Sequence, residues 1–340
     1  MTVRHCLATD EWDDRRVLQL LDRAARLKAA NRDDEALRGK LLGLVFFDPS
    51  LRTRVSFEAA MARHGGRAIV LEPGRGAWAL ETRRGAVMDG GAPEHVVDAA
   101  RVLGRYVHAL GVRAFPKLDD WEAARRDEVV RTFAAESGVP VINLESARRH
   151  PCQGLADALT IRERLGEAAR ESRFTLAWAW HPKPLPCAVP VSAAIAAARL
   201  GMEVTIAHPE GFELDGEDVR SVAEVARRCG GRLEITHDID EAIAGADVVY
   251  AKSWGSLRAF GDADAARKLA APYRSWRIDE RRMRATRGGR GFFMHCLPVR
   301  RNVVVTDGVL DGPWSAVVDQ AENRLHVQRA LLLELLGGDR

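Results

Sequence analysis

The sequence predicts an α/β protein of two doubly wound parallel-sheet domains joined by helices. Three observations carry that prediction. The chain has 340 residues, more than one core usually holds at ~150 residues per domain. Short apolar runs alternate with helical periodicity along its length. The alternation runs once, pauses near residue 150, and begins again.

The first cycle starts with residues 10–30 (DEWDDRRVLQLLDRAARLKAA), whose apolar spacing predicts an amphipathic helix. LLGLVFFD (41–48), RAIVLEP (67–73), HALGVRAF (108–115) and PVINLES (140–146) predict parallel strands. Helices are expected between them at VSFEAAMARHGG, HVVDAARVLGRY and the stretch after Asp119. The second cycle offers FTLAWAW (174–180), MEVTIAH (202–208), RLEITHD (232–238), DVVYAKS (247–253), GFFMHCL (291–297) and SAVVDQ (315–320) as strands. ENRLHVQRALLLELL then predicts a closing helix. The expected boundary is near residue 150, with domains at 1–150 and 151–322, a helix from about Cys152 bridging them, and a C-terminal helix at 323–340.

Composition narrows the function. Net charge is +3, from 51 basic and 48 acidic side chains, too balanced for the basic stripe that nucleic acid demands. No run approaches the ~18 apolar residues of a membrane span. The start, MTVRHCLATDEWDD, has no apolar signal core, so a cytoplasmic protein is expected. The five cysteines (Cys6, Cys152, Cys187, Cys229, Cys296) show no CxxC pair, so reduced thiols and no metal site are expected.

Ligands of doubly wound folds sit beyond the carboxyl ends of strands, so the loops after strands are where chemistry is sought. The first strand runs into Asp48-Pro49-Ser50-Leu51-Arg52-Thr53-Arg54 and then a helix. A helix N-terminus offers unpaired N–H groups and a positive dipole end. Ser50 and Thr53 add hydroxyls, and Arg52 adds a planar fork suited to phosphate. An ordinary N-cap at Ser50 explains the same residues. Glu145 and His150-Pro151-Cys152-Gln153 follow the fourth strand. A histidine and an amide there suit a carbonyl and an amide nitrogen, although a capping histidine is as common. Arg113 at a strand end reads equally as a structural ion pair.

Taken together, SxRTRxSFE, a strand-ending arginine, HPxQ, HCLP and ENR occur here in one order. The chain thereby resembles the aspartate and ornithine carbamoyltransferase superfamily over essentially its whole length. The resemblance implies a carbamoyl-phosphate domain, then an amine-substrate domain, a C-terminal helix returning to the first, and a homotrimer with shared active sites. It assigns carbamoyl phosphate to Ser50, Leu51, Arg52, Thr53, Arg113, His150, Gln153 and Arg324. Trp78 matches a residue that the acylornithine branch delivers from a neighbouring subunit. Arg113 and His150 are expected at the carbonyl oxygen, with Cys296 and Leu297 beside the attacking amine. The implied chemistry uses no metal or organic cofactor: a neutral δ-amine attacks, a tetrahedral intermediate forms, and phosphate departs. Its partners are small molecules only.

The amine is read from departures. Free-ornithine enzymes of this superfamily carry a Ser-Met-Gly loop, where this chain reads Tyr250-Ala251-Lys252-Ser253-Trp254-Gly255. Lys252 suits an α-carboxylate but repels a free α-ammonium. With His181 in AWAWHPKPLP, Arg300 in HCLPVRRN, and Glu145, this resembles the branch acting on N2-acylornithines. Within that branch the acetyl type carries a glutamate where the succinyl type carries a proline, and Gly91-Ala92-Pro93-Glu94-His95 places Pro93 there. A glutamate ~4 Å from a succinyl carboxylate would cost about 4 kcal/mol at a dielectric of ~20. Pro93 also suits the first position of a helix. Val304 stands where the acetyl type has lysine, and WALETRRG and HPEGFELD also lean to succinyl. ARVLGRY, AFPK and ENRLHVQ lean to acetyl. The sequence favours N-succinylornithine, with N-acetylornithine as the alternative. Free ornithine, or non-catalytic phosphate and amine binding, stands further off. A nicotinamide oxidoreductase lacks its GxGxxG here.

Overall fold

The computed structural model describes residues 4–115 and 119–337. Pro116 and Lys117 of AFPK, and the last three residues of the expected C-terminal helix, lie outside the described residues. The chain forms two compact units. One takes residues up to 115, Glu122–Cys152 and the chain from Arg324; the other takes 119–121 and Gln153–Asn323.

In the first unit, helix α1 (Asp14–Ala30) is capped by Asp13, whose carboxylate accepts from Arg15 and Arg16 N–H. Strand β1 (Leu41–Phe46) leads into α2 (Leu51–Ala62), and β2 (Arg67–Leu71) follows. Then come α3 (Val96–Tyr106), β3 (Ala109–Arg113), α4 (Glu128–Glu136) and β4 (Val141–Glu145). Among the described residues these strands make a four-stranded parallel sheet in the order β2-β1-β3-β4. Val45, Leu110, Val112 and Val141 of the sheet pack with Val96 and Ala100 of α3 and Phe133 of α4. β1 and β3 are buried nearly end to end, as expected for parallel strands covered on both faces.

The contact between α3 and the end of α4 depends on Gly104. A Cβ built there would stand 1.8 Å from the Ser137 carbonyl oxygen. Gly104→Ala is therefore expected to destabilise by about 2 kcal/mol, after the ~1 kcal/mol that alanine gains in helix propensity. A urea midpoint unchanged from the parent would refute this close approach.

Helix α5 (Pro151–Leu165) carries the chain into the second unit. That unit holds β5 (Arg173–Trp178), α6 (Ala188–Arg199), β6 (Glu203–Ala207), α7 (Gly216–Cys229), β7 (Arg232–Thr236), β8 (Val248–Lys252) and β9 (Phe292–Met294). Among the described residues its five strands are parallel, ordered β9-β8-β5-β6-β7. α6 is buried along its whole length, which its alanine-rich, charge-poor sequence allows. Residues 119–121, expected in the first domain, group instead with this unit. Trp121 donates from Nε1 to Asp215 (2.7 Å) and meets the Phe260 ring edge-on at 5.4 Å.

SAVVDQ is not a strand. Ser315 makes only an isolated bridge to Phe293, and a helix begins two residues later: α8, Val317–Leu336. A three-residue apolar run cannot separate strand from helix on its own. Burial of Val317, Gln320, Arg324 and Val327, with Val318 exposed, follows helical spacing.

Candidate functional site

Both sheets reverse their winding at one place. In the first, the chain adds β2 on one side of β1 and β3 on the other; in the second, β6 and β8 flank β5 in the same way. Such switch points open a crevice at the carboxyl ends of the two diverging strands. The residues singled out in the sequence gather at these two places.

At the first, Phe46, Arg113 and Glu145 end β1, β3 and β4 side by side. A register shift between Val112 and Arg113 re-aims the arginine relative to its strand. Backbone bonds tie the loops together: Phe47 N–H donates to Arg113 O (3.0 Å), Ala114 N–H to Glu145 O (3.1 Å), and Phe115 N–H to the Asp48 carboxylate (2.8 Å). Ser50 is extended and caps α2 by accepting from Thr53 N–H. It is the ordinary N-cap that the sequence allowed, and the first turn behind it contains no acidic residue. No carboxylate of that turn therefore offsets its positive dipole end.

Cations converge on that turn. Arg324, 4% exposed on α8, donates to the Thr53 hydroxyl at 2.6 Å. Burial lowers its pKa, with Cys152 and Glu145 opposing the shift and the nearby Arg113 and Arg52 adding to it. The guanidinium stays charged, because arginine does not lose its proton in proteins. Arg113 is 8% exposed and makes a short ion pair from Nη1 to Glu145, whose carboxylate is 3.7 Å from His150 Nε2. The Nε donors of Arg113 and Arg324 are both buried without a hydrogen-bond partner. Buried donors are usually paired, and both of these remain available to an acceptor. Burial also pushes the Cys152 thiol up to about 12, so it is no nucleophile.

Trp78 and Pro93 belong to a separate excursion of the first unit, where Leu80–Glu81 pairs with Glu94–His95. Trp78 is 63% exposed, and its indole N–H is held by Glu94 at 2.5 Å. Leu51, on the α2 turn, is also exposed.

At the second switch point, β5 and β8 end at Trp178 and Lys252, which lie opposite each other. His181 follows β5. Its Nε2 is 2.9 Å from Arg300 Nε, which only donates, and its Nδ1 lies 2.8 Å from the Lys183 carbonyl oxygen and 3.1 Å from the Lys183 backbone N–H nitrogen. Burial lowers the pKa of His181; the Lys183 carbonyl opposes this, while the charges of Arg300, Lys252 and Lys183 add to it. A neutral ring between cations results. His181, Lys183, Ser253 and Trp254 line one cleft, and the Ser253 hydroxyl is buried there without a partner. Behind it, Trp178 donates to Trp254 O (2.9 Å) and Trp254 to Phe212 O (2.8 Å), so both indoles are tied to the backbone.

β9 is followed by His295-Cys296-Leu297-Pro298. Leu297 has a left-handed φ of 54°, a conformation that costs a non-glycine residue about 1–2 kcal/mol. Its N–H donates to His295 Nδ1 at 2.9 Å, which holds the turn. Gln153, 1% exposed on α5, donates from Nε2 to Asp157 (2.8 Å), and its Oε1 has no partner.

Sequence reasoning missed Asp157 and Gln320. Asp157 stands four residues after Gln153 on one helix face, a legible signal. Gln320 lay inside the segment misread as a strand. Among the described residues no group of three or more His, Cys, Asp or Glu is placed to hold a metal. No helix there is long and apolar enough to cross a membrane.

Comparison with known proteins finds two family models that follow one another along the chain. Residues 4–163 match the family model "Aspartate/ornithine carbamoyltransferase, carbamoyl-P binding domain", and residues 175–335 match "Aspartate/ornithine carbamoyltransferase, Asp/Orn binding domain". The chain is 47% identical over 342 aligned residues to an N-acetylornithine carbamoyltransferase of Xanthomonas campestris, covering 100% of both. It is 40% identical over 299 residues to an N-succinylornithine carbamoyltransferase of Bacteroides fragilis, covering 88% of each. A solved neighbour has a TM-score of 0.94 and 47% identity, covering 98% of this chain and 100% of its own. It is an N-acetyl-L-ornithine transcarbamylase with one glutamate exchanged for proline, complexed with carbamyl phosphate and N-succinyl-L-norvaline.

Proposed function

Because this chain belongs to the aspartate/ornithine carbamoyltransferase family, we propose that it carries the carbamoyl group of carbamoyl phosphate to the δ-amine of an N2-acylornithine, in arginine biosynthesis. The observation that carries the reading is the anion site. Two buried guanidinium Nε donors and an acid-free helix N-terminus sit at one switch point. That is the chemistry of a small phosphate ester.

In this reading Ser50, Leu51, Arg52, Thr53 and Arg324 hold the phosphate. Arg113 and His150 donate to the carbonyl oxygen, where negative charge grows as the amine attacks. Gln153 Oε1 accepts from the carbamoyl NH2. Glu145, His181, Lys252, Cys296, Leu297, Arg300 and Pro93 form the amine side, with Lys252 and Arg300 as cations for the α-carboxylate. Phosphate departs with its negative charge still neutralised by arginines. Assembly as a homotrimer, in which the exposed Trp78 serves a neighbouring subunit, belongs to the same proposal, and light scattering after gel filtration tests it.

For the acyl group, overall relationship supports acetyl: 47% identity across the whole chain, against 40% across 88% of it. The sequence-based preference for the succinyl compound is not what the relatives favour, and N-acetylornithine is the proposed substrate. N-succinylornithine is the second reading. It rests on Pro93, since a glutamate-to-proline exchange accompanies a succinyl ligand in the solved neighbour.

Comparing kcat/KM for ornithine, N-acetylornithine and N-succinylornithine decides. The acetyl compound is expected to lead, with free ornithine weaker by about 100-fold because Lys252 repels its ammonium. Pro93→Glu is expected to depress any succinyl activity on the order of 1000-fold and to spare acetyl activity. A parent enzyme faster with the succinyl compound would replace the first reading by the second. Activity confined to ornithine would remove both.

A further inference from the structure

We propose that Asp157 is a positioning residue for carbamoyl recognition, fixing the amide of Gln153 so that only its carbonyl oxygen faces the ligand. The inference rests on the carbamoyl-transfer reading and adds a residue to it.

The argument starts from what a buried carboxylate can do. Asp157 is fully buried on α5, and an ionised carboxylate only accepts hydrogen bonds. Its Oδ1 is 2.8 Å from Gln153 Nε2 and 2.6 Å from Gln320 Nε2. Two side-chain amides, each free in principle to turn either end outward, are thus both compelled to spend their NH2 on one oxygen. Their oxygens must face away. Gln320 Oε1 accepts from His295 N–H at 2.9 Å, at the start of the turn that runs through Cys296 and Leu297. Gln153 Oε1 is buried and has no partner.

That leftover acceptor discriminates. A carbamoyl group ends in NH2, which donates; an acetyl group of nearly the same shape ends in CH3, which does not. With Asp157 in place, the acetyl ligand leaves a buried acceptor unsatisfied. If the amide of Gln153 turned over, its NH2 would instead meet the ligand's NH2, donor against donor. The Tyr250 hydroxyl, 3.3 Å from Gln320 Nε2, closes the network. Burial, then the neighbouring Asp157 charge, raises the phenol's pKa well above the usual value, so Tyr250 stays neutral while its oxygen accepts from Gln320 Nε2.

The test compares two ligands on one enzyme. The parent's affinity for carbamoyl phosphate is set against its inhibition constant for acetyl phosphate, and the ratio is measured again for Asp157→Asn. An asparagine keeps the shape but can donate as well as accept, so it no longer dictates which way Gln153 turns. The expected result is a fall in that ratio of about tenfold, made almost wholly of lost carbamoyl phosphate affinity. A merely structural residue would weaken both ligands alike and leave the ratio unchanged, which overturns the proposal. Should Asp157→Asn not fold, Asp157→Ser is read in the same way. Failure of both to fold would make Asp157 a folding residue and equally overturn it. A parent enzyme without carbamoyl transfer would instead count against the reading beneath it.

Discussion

Arg113→Met is expected to lower kcat by about 100- to 1000-fold, while KM for carbamoyl phosphate moves much less. The arginine stands at the end of β3 with its Nε unpaired and its Nη1 on Glu145. A donor aimed at an oxygen that gains charge only as the amine attacks stabilises the transition state more than the bound substrate, and losses of this size follow its removal. The same substitution strands the Glu145 carboxylate, which is only 12% exposed. Breaking a pair so buried costs about 3 kcal/mol. Arg113→Met combined with Glu145→Gln is therefore expected to recover thermal stability without recovering rate. If the single variant turned over within tenfold of the parent, the arginine would be no more than the structural ion pair that the sequence also allowed.

Arg324→Leu is expected to act on the other kinetic constant. KM for carbamoyl phosphate should rise about 100-fold, and inhibition by inorganic phosphate should weaken in parallel, since hydrogen bonds to charged groups contribute ~1.5–3 kcal/mol each. The guanidinium bonds Thr53 with one nitrogen and leaves Nε over. Lysine has a single nitrogen for both tasks, so Arg324→Lys should rescue little. An unchanged KM would move the phosphate away from the α2 turn. The two arginines thus separate binding from chemistry, and a pair of variants that both altered only KM would contradict the assignment of Arg113.

Much of this was legible before any coordinates. Nine of the ten expected strand segments form strands, because a buried parallel strand flanked by helices is a short apolar run with clear ends. The tenth failed where an apolar triplet opened a helix whose polar residues are buried. Gln320 is 1% exposed and Asn323 fully buried, so polarity misreported burial there. The turn proposed for phosphate is easy to single out because its residues are contiguous, Ser50 to Thr53. Its partner was legible only through resemblance, since 271 positions separate Arg324 from Thr53. The order of strands in each sheet was not in the periodicity at all, and the switch points follow from that order. Nor could spacing show that Trp121 belongs with Asp215 and Phe260.

The first unit closes with residues that come late in the chain. Arg324 bonds Thr53, Arg329 reaches His64 (3.1 Å) and the Arg32 carbonyl (2.9 Å), and Glu334 pairs with Arg16 at 2.7 Å. Gln153–Asn323 lie between, as one unbroken piece. A growing polypeptide, which usually completes its domains in the order they emerge, is here held to the reverse order. The second unit has all its parts first, while the half-built first unit waits with an open seam beside α1 and α2. The arginine proposed for the anion site follows the whole of the second unit, so affinity for phosphate and completion of the first unit should appear together as the chain folds.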